Sequence, residues 1–111
     1  MEAKTKAELL KMYSFVGSFS EGLAEVKSGG KEFHISPDGT PAYEERFDMV
    51  GSFFEGLAWV RKDGKEFHIR PDGTPAYGER FNVVGSFSGG MATAYKDGEE
   101  FCIRLDGTRV N

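Results

Sequence analysis

From Tyr13 onward the chain alternates apolar and polar residues in short runs. In one run Phe67 and Ile69 fall on one side, with Glu66, His68 and Arg70 on the other; in the run before it Ala58 and Val60 oppose Trp59 and Arg61. A period of two is the mark of a half-buried β-strand. Asp63-Gly64 separates these two runs and Pro71-Asp72-Gly73 closes the second. Asp-Gly between alternating runs predicts a tight hairpin, because such a turn needs positive φ and glycine adopts it cheaply. The pattern predicts strands near 47–50, 57–62, 65–70 and 74–78. Phe67, Ile69, Ala58 and Val60 are expected inside, and Glu66, His68 and Trp59 toward water.

The same pattern occurs three times at a spacing of 34 residues. Val16-Gly17-Ser18-Phe19 returns as Val50–Phe53 and Val84–Phe87, and Asp38-Gly39-Thr40 as Asp72–Thr74 and Asp106–Thr108. Phe33-His34-Ile35 returns as Phe67-His68-Ile69 and Phe101-Cys102-Ile103. A fixed period of this size signals an array of supersecondary units. The predicted organisation is a short helix over 1–12 and a β domain over 13–111, with units 13–46, 47–80 and 81–111. Thr5-Lys6-Ala7-Glu8 has capping-box spacing. The helix is expected to dock over the first strand and cover its edge. The fold class is all-β: three tandem antiparallel repeats of four short strands, either blade-like as in a propeller or an open row of hairpins.

Composition narrows what such a domain does. A net charge of −4 argues against nucleic acid, whose phosphates call for a basic face. No apolar run reaches the length of a membrane helix, so no membrane is expected. Cys102 is the single cysteine, which excludes an internal disulfide and fits a reducing, cytoplasmic setting.

Phe19-Ser20-Glu21-Gly22-Leu23-Ala24 with Val26, and Phe53–Ala58 with Val60 and Asp63-Gly64-Lys65, resemble the WG repeat family, also called KWG repeats. The resemblance extends over nearly all of 13–111, although Lys31-Glu32-Phe33 and Lys65-Glu66-Phe67 stand where the family has its Trp-Gly pair. It implies a bacterial β-repeat protein with an interaction role and no catalytic residue.

Few residues suggest chemistry. His34, His68 and Cys102 share one repeat position and form a zinc-competent set by type, but equivalent positions in successive units are too far apart for one ion. Copied solvent-side residues are the expectation, with Cys102 on a packed or half-packed strand. Asp38, Asp72, Asp106, Asp63 and Asp97 stand singly before glycines, as turn residues do, whereas calcium loops carry several oxygen ligands. Arg46 and Arg80 are expected in salt bridges between units. Ser18, Ser52 and Ser86 repeat in step without a base. No enzyme, metal or cofactor is expected. The leading reading is a non-catalytic module for protein binding or self-assembly. It includes a homodimer or closed oligomer that joins the first unit of one chain to the third of another, burying anchors Phe19, Phe53, Phe87, Phe33, Phe67 and Phe101. The alternative is a carbohydrate-binding module using the rings of Trp59, Tyr43, Tyr77 and Tyr95.

Overall fold

The tight turns each use two residues of positive φ: Glu21-Gly22, Gly29-Gly30, Glu55-Gly56, Asp63-Gly64, Gly89-Gly90 and Asp97-Gly98. This geometry matches the natural twist of antiparallel strands. The computed structural model describes residues 2–110. After helix α1 (Lys6–Met12) come three antiparallel sheets, one per unit. The first contains β1 (Phe15–Ser20), β2 (Leu23–Ser28) and β3 (Lys31–Ile35); the second β4 (Met49–Val50), β5 (Ala58–Lys62) and β6 (Lys65–Ile69). The third contains β7 (Val83–Val84), β8 (Met91–Lys96) and β9 (Glu99–Arg104). In each sheet the order along the chain is the order in space.

The predicted fourth strand does not form. In its place Pro75 makes a single bridge to Ile69, and Ala76 N–H donates to the His68 carbonyl. Proline has no N–H, so the ladder cannot continue through it. The chain leaves the edge of β6 and returns at Phe81, which exchanges two backbone bonds with Glu66 before Val83 and Val84 pair with Tyr95 and Ala94. Pro41 and Phe47 make the same stitch to β3. Each connection therefore closes one sheet and begins the next. The result is an open row of sheets, 46 × 26 × 18 Å, in which β1 and β9 do not pair.

The inward face is as the alternation predicts: Ala24, Val26, Ile35, Ala58, Val60, Ile69, Ala94 and Ile103 are buried, as are Phe33 and Phe67. The opposite face is not a water face. His34, His68 and Glu66 are buried there, because the next sheet packs over it. Phe53 and Phe87 are buried against the rings of His34 and His68, whereas Phe19, with no unit before it, stays 42% exposed. Phe101 is half-buried. Cys102, expected on a packed or half-packed strand, is exposed, and no sheet among the described residues covers it.

Helix α1 begins with the capping box the sequence predicts: Glu8 N–H donates to Thr5 Oγ1 at 3.2 Å, and Thr5 N–H donates to Glu8 Oε1 at 2.9 Å. It lies beside β1 but sits chiefly on the Asp-Gly-Thr turn of the first unit. A methyl group on Gly39 would lie 3.2 Å from Leu9 and Met12, and Tyr13 Oη donates to the Gly39 carbonyl at 2.7 Å. On Gly73 and Gly107 the corresponding neighbours are Tyr43 and Tyr77 of the preceding unit. Leu9, Tyr43 and Tyr77 stand 34 residues apart, so the helix puts Leu9 where a preceding unit would put its tyrosine. Leu9 is 1% exposed. Leu9→Ala is expected to cost about 2–4 kcal/mol, typical of a buried leucine. Hydrogen exchange should rise in β1–β3 and stay unchanged in β8–β9; uniform loss across the chain would show that Leu9 does not act as a local cap.

Candidate functional site at the unit junctions

Three ladders of polar groups join the units. At the first, the Glu21 carboxylate accepts from Glu55 N–H (2.7 Å) and Gly56 N–H (2.8 Å), and the Glu55 carboxylate accepts from Gly89 and Gly90 N–H, both at 2.8 Å. Each hairpin turn of positive φ presents two amides together, a small nest suited to an anion. At the second, Glu32 Oε1 and Glu66 Oε1 accept from Val50 and Val84 N–H, each at 2.9 Å. Glu66 Oε2 also pairs with Arg61 at 3.0 Å.

The third ladder is histidine. His34 Nε2 lies 2.7 Å from the Gly51 carbonyl and Nδ1 lies 2.6 Å from Tyr43 Oη. A carbonyl only accepts, so Nε2 carries the proton and Nδ1 accepts from the phenol. His68 repeats this with Gly85 and Tyr77. Burial pushes both imidazoles down to about 4, only partly offset by the carbonyl, and pushes both phenols up. Both ring nitrogens of each histidine are engaged inside the protein. Among the described residues, no group of three or more His, Cys, Asp or Glu side chains comes together in a metal-like cluster.

The four aromatic candidates separate. Tyr43 and Tyr77 are buried in the histidine ladder and present no face to a sugar. Trp59 is half-buried; a methyl group on Gly51 would lie 2.0 Å from its indole nitrogen, so this ring rests on a glycine. Glu25 lies over Gly17 in the same way, and its partly buried carboxyl is pushed up. Tyr95 is 43% exposed at the far end. Among the described residues Arg46 and Arg80 do not make the expected salt bridges between units. Their guanidinium groups lie over the rings of Phe33 and Phe67 at 3.7 and 3.8 Å, and each donates to three carbonyls of its own connection. The cation–π surface and the nearby carbonyls compensate the charge without a carboxylate. Asp38, Asp72 and Asp106 each accept from a threonine N–H and hydroxyl two residues on, which holds their carboxyls low.

What the linear pattern did not reveal is a groove between the turn of one unit and the connection leading into it. One cleft of about 390 Å³ has a floor of Phe47 and Phe67, with Lys62, Lys65, Pro75 and Arg80 at its walls. A second, of about 410 Å³, places Phe81, Phe101, Lys96 and Arg109 at equivalent positions. The period itself is the signal that locates both: a surface made at one junction is made again 34 residues on.

The model of a family described as WG containing repeat matches residues 10–31 and 35–65. No curated protein and no solved structure matches the chain.

Proposed function

With the chain carrying β-repeats of the WG family as the premise, we propose that it is a non-catalytic protein-binding module whose junction grooves hold an extended segment of a partner. The observation that carries this reading is the recurrence of one groove with an aromatic floor at two successive junctions, open to a ligand's charge at the first, whereas Lys96 and Arg109 at the second already pair with Glu79 and Glu99. Charge selects the partner. Lys62 and Lys65 line the first groove with Glu45 and Asp63, and among the described residues neither lysine pairs with a carboxylate, while Arg80 is held by the Phe67 ring and three carbonyls. A cationic groove on a chain of net charge −4 favours an acidic side chain beside an apolar one. Burial of Tyr43 and Tyr77 leaves the carbohydrate alternative with two rings, Trp59 and Tyr95.

The test is selection of displayed short linear peptides on the immobilised chain. Enriched peptides are expected to place Asp or Glu beside an apolar residue and to lose at least about tenfold in affinity, one charged contact's worth, on a folded Lys62→Glu/Lys65→Glu variant. Peptides indifferent to that reversal, or a glycan array giving ligands that depend on Trp59, would overturn the reading.

A further inference from the structure

The polar ladders run in one direction, and their first rung is empty. Carboxylates of one unit seat on backbone amides of the next: Glu21 on the Glu55-Gly56 nest and Glu55 on the Gly89-Gly90 nest. The first unit has the same nest at Glu21-Gly22, with φ of 53° and 84° against 54° and 81° at Glu55-Gly56. Among the described residues no acceptor sits on the Glu21 and Gly22 amides. Glu21's own carboxylate is turned forward onto the second unit and does not occupy its own nest.

Two further features at this end match the same missing neighbour. Phe53 and Phe87 are covered by the imidazoles of the preceding units, while Phe19 is 42% exposed. Gly51 and Gly85 carbonyls accept from those imidazoles, and Gly17 is the corresponding residue in the first unit. Helix α1 replaces only the tyrosine contact. Between the helix and β1 it leaves a cleft of about 390 Å³ lined by Lys4, Lys6, Leu9, Val16, Gly17 and Phe19.

We infer that this end is a docking face for the outgoing sheet of a β-repeat unit on another protein: a unit that offers one carboxylate to the Glu21-Gly22 nest and a hydrogen-bonding aromatic ring to Phe19 and Gly17. The basis is continuity with the two junctions inside the chain, where the same surface is already filled by those groups. A second copy of this chain is a poor occupant. Its third unit has Gly89 where the others have Glu21 and Glu55, Cys102 in place of His34 and His68, and Glu99 in place of Lys31 and Lys65. Two of the lysines near the cleft, Lys4 and Lys6, add attraction for a carboxylate-bearing face. The inference rests on the protein-binding reading but not on the grooves, and its test reads different atoms.

The probe is the chain itself with the carboxylate and the imidazole of its outgoing face supplied by Gly89→Glu and Cys102→His, Asn111 standing where the other units have Tyr43 and Tyr77. Glu21 and Glu55 hold the same turn position at φ near 53–54°, so Glu is compatible with the backbone at residue 89, where φ is 61°. Wild-type chain labelled with nitrogen-15 is titrated with the unlabelled G89E/C102H chain. The Glu21 and Gly22 amide signals are expected to move downfield and the Phe19 ring to become protected from solvent. A G89Q/C102H chain should bind about tenfold or more weakly, as loss of a charge-assisted pair implies. G89E alone serves as the donor if the double variant is unfolded, and should still move Glu21 and Gly22. Unmoved amides with a folded donor would overturn the inference. So would equal shifts produced by unlabelled wild-type chain, since a second copy as it stands would then fill the face. Shifts confined to Phe67 and Arg80 would instead report the groove and leave this end without a partner.

Discussion

Gly73→Val is expected to be far more damaging than a change in an open turn, lowering stability by about 3–4 kcal/mol. Two independent costs combine. At φ +85° a β-branched residue is strained by about 1–2 kcal/mol, and its Cβ would lie 2.7 Å from Tyr43, an overpacking cost of about 1–3 kcal/mol. Gly64→Val carries only the first cost: φ is +79°, with nothing within 4 Å of a built Cβ. Denaturant melts should therefore separate the two by about 2 kcal/mol, from the overpacking term, and equal losses would show that the turn does not close against the preceding unit. Glu66→Val belongs beside Gly73→Val rather than among surface changes. The alternation of the chain places Glu66 toward water, but it is 8% exposed and is the acceptor for Val84 N–H. Removing it strands a buried donor, at about 1–3 kcal/mol, so it should equal or exceed Gly64→Val.

Acidification is expected to weaken the fold before the aspartates held low by their hydrogen bonds protonate. His34 and His68 hold folded-state values of about 4, below the ordinary 6.5. Above 6.5 both folded and unfolded chains carry neutral imidazole, and the histidines make stability independent of pH. Below it the unfolded chain takes up protons that the folded chain refuses, so stability falls as pH drops from about 6.5 to about 4 and levels off below. At about 1.4 kcal/mol per pKa unit, each histidine contributes a loss of about 3 kcal/mol. Because each joins two units, the loss should appear as separation of sheets. A His34→Gln/His68→Gln chain should be flat across this window while retaining the steeper loss below it, where Asp38, Asp48, Asp72 and Asp106, all held low by their hydrogen bonds, begin to protonate. A wild-type chain with unchanged stability from pH 7 to pH 4 would contradict the buried, neutral assignment.

The sequence by itself determined the unit, its period, its hairpins and its inward face. These depend on neighbours close along the chain: alternation places Phe67 and Ile69 on one side, and Asp63-Gly64 accepts positive φ wherever it stands. It also determined the capping box, which lies within four residues. Only the tertiary structure decided what happens to the second face. His68 and Cys102 occupy the same position in the period, yet one is buried and the other exposed, because burial there depends on whether another sheet follows. The same cause divides Phe19 from Phe53 and Phe87, and removes Tyr43 and Tyr77 from the candidate surface. It also decided that the fourth strand does not form, since after the single bridge of Pro75 to Ile69 the chain leaves the edge of β6 for the next sheet. A period fixes equivalence within the chain, but the stacking of units fixes environment. The grooves and the open Glu21-Gly22 nest are products of that stacking.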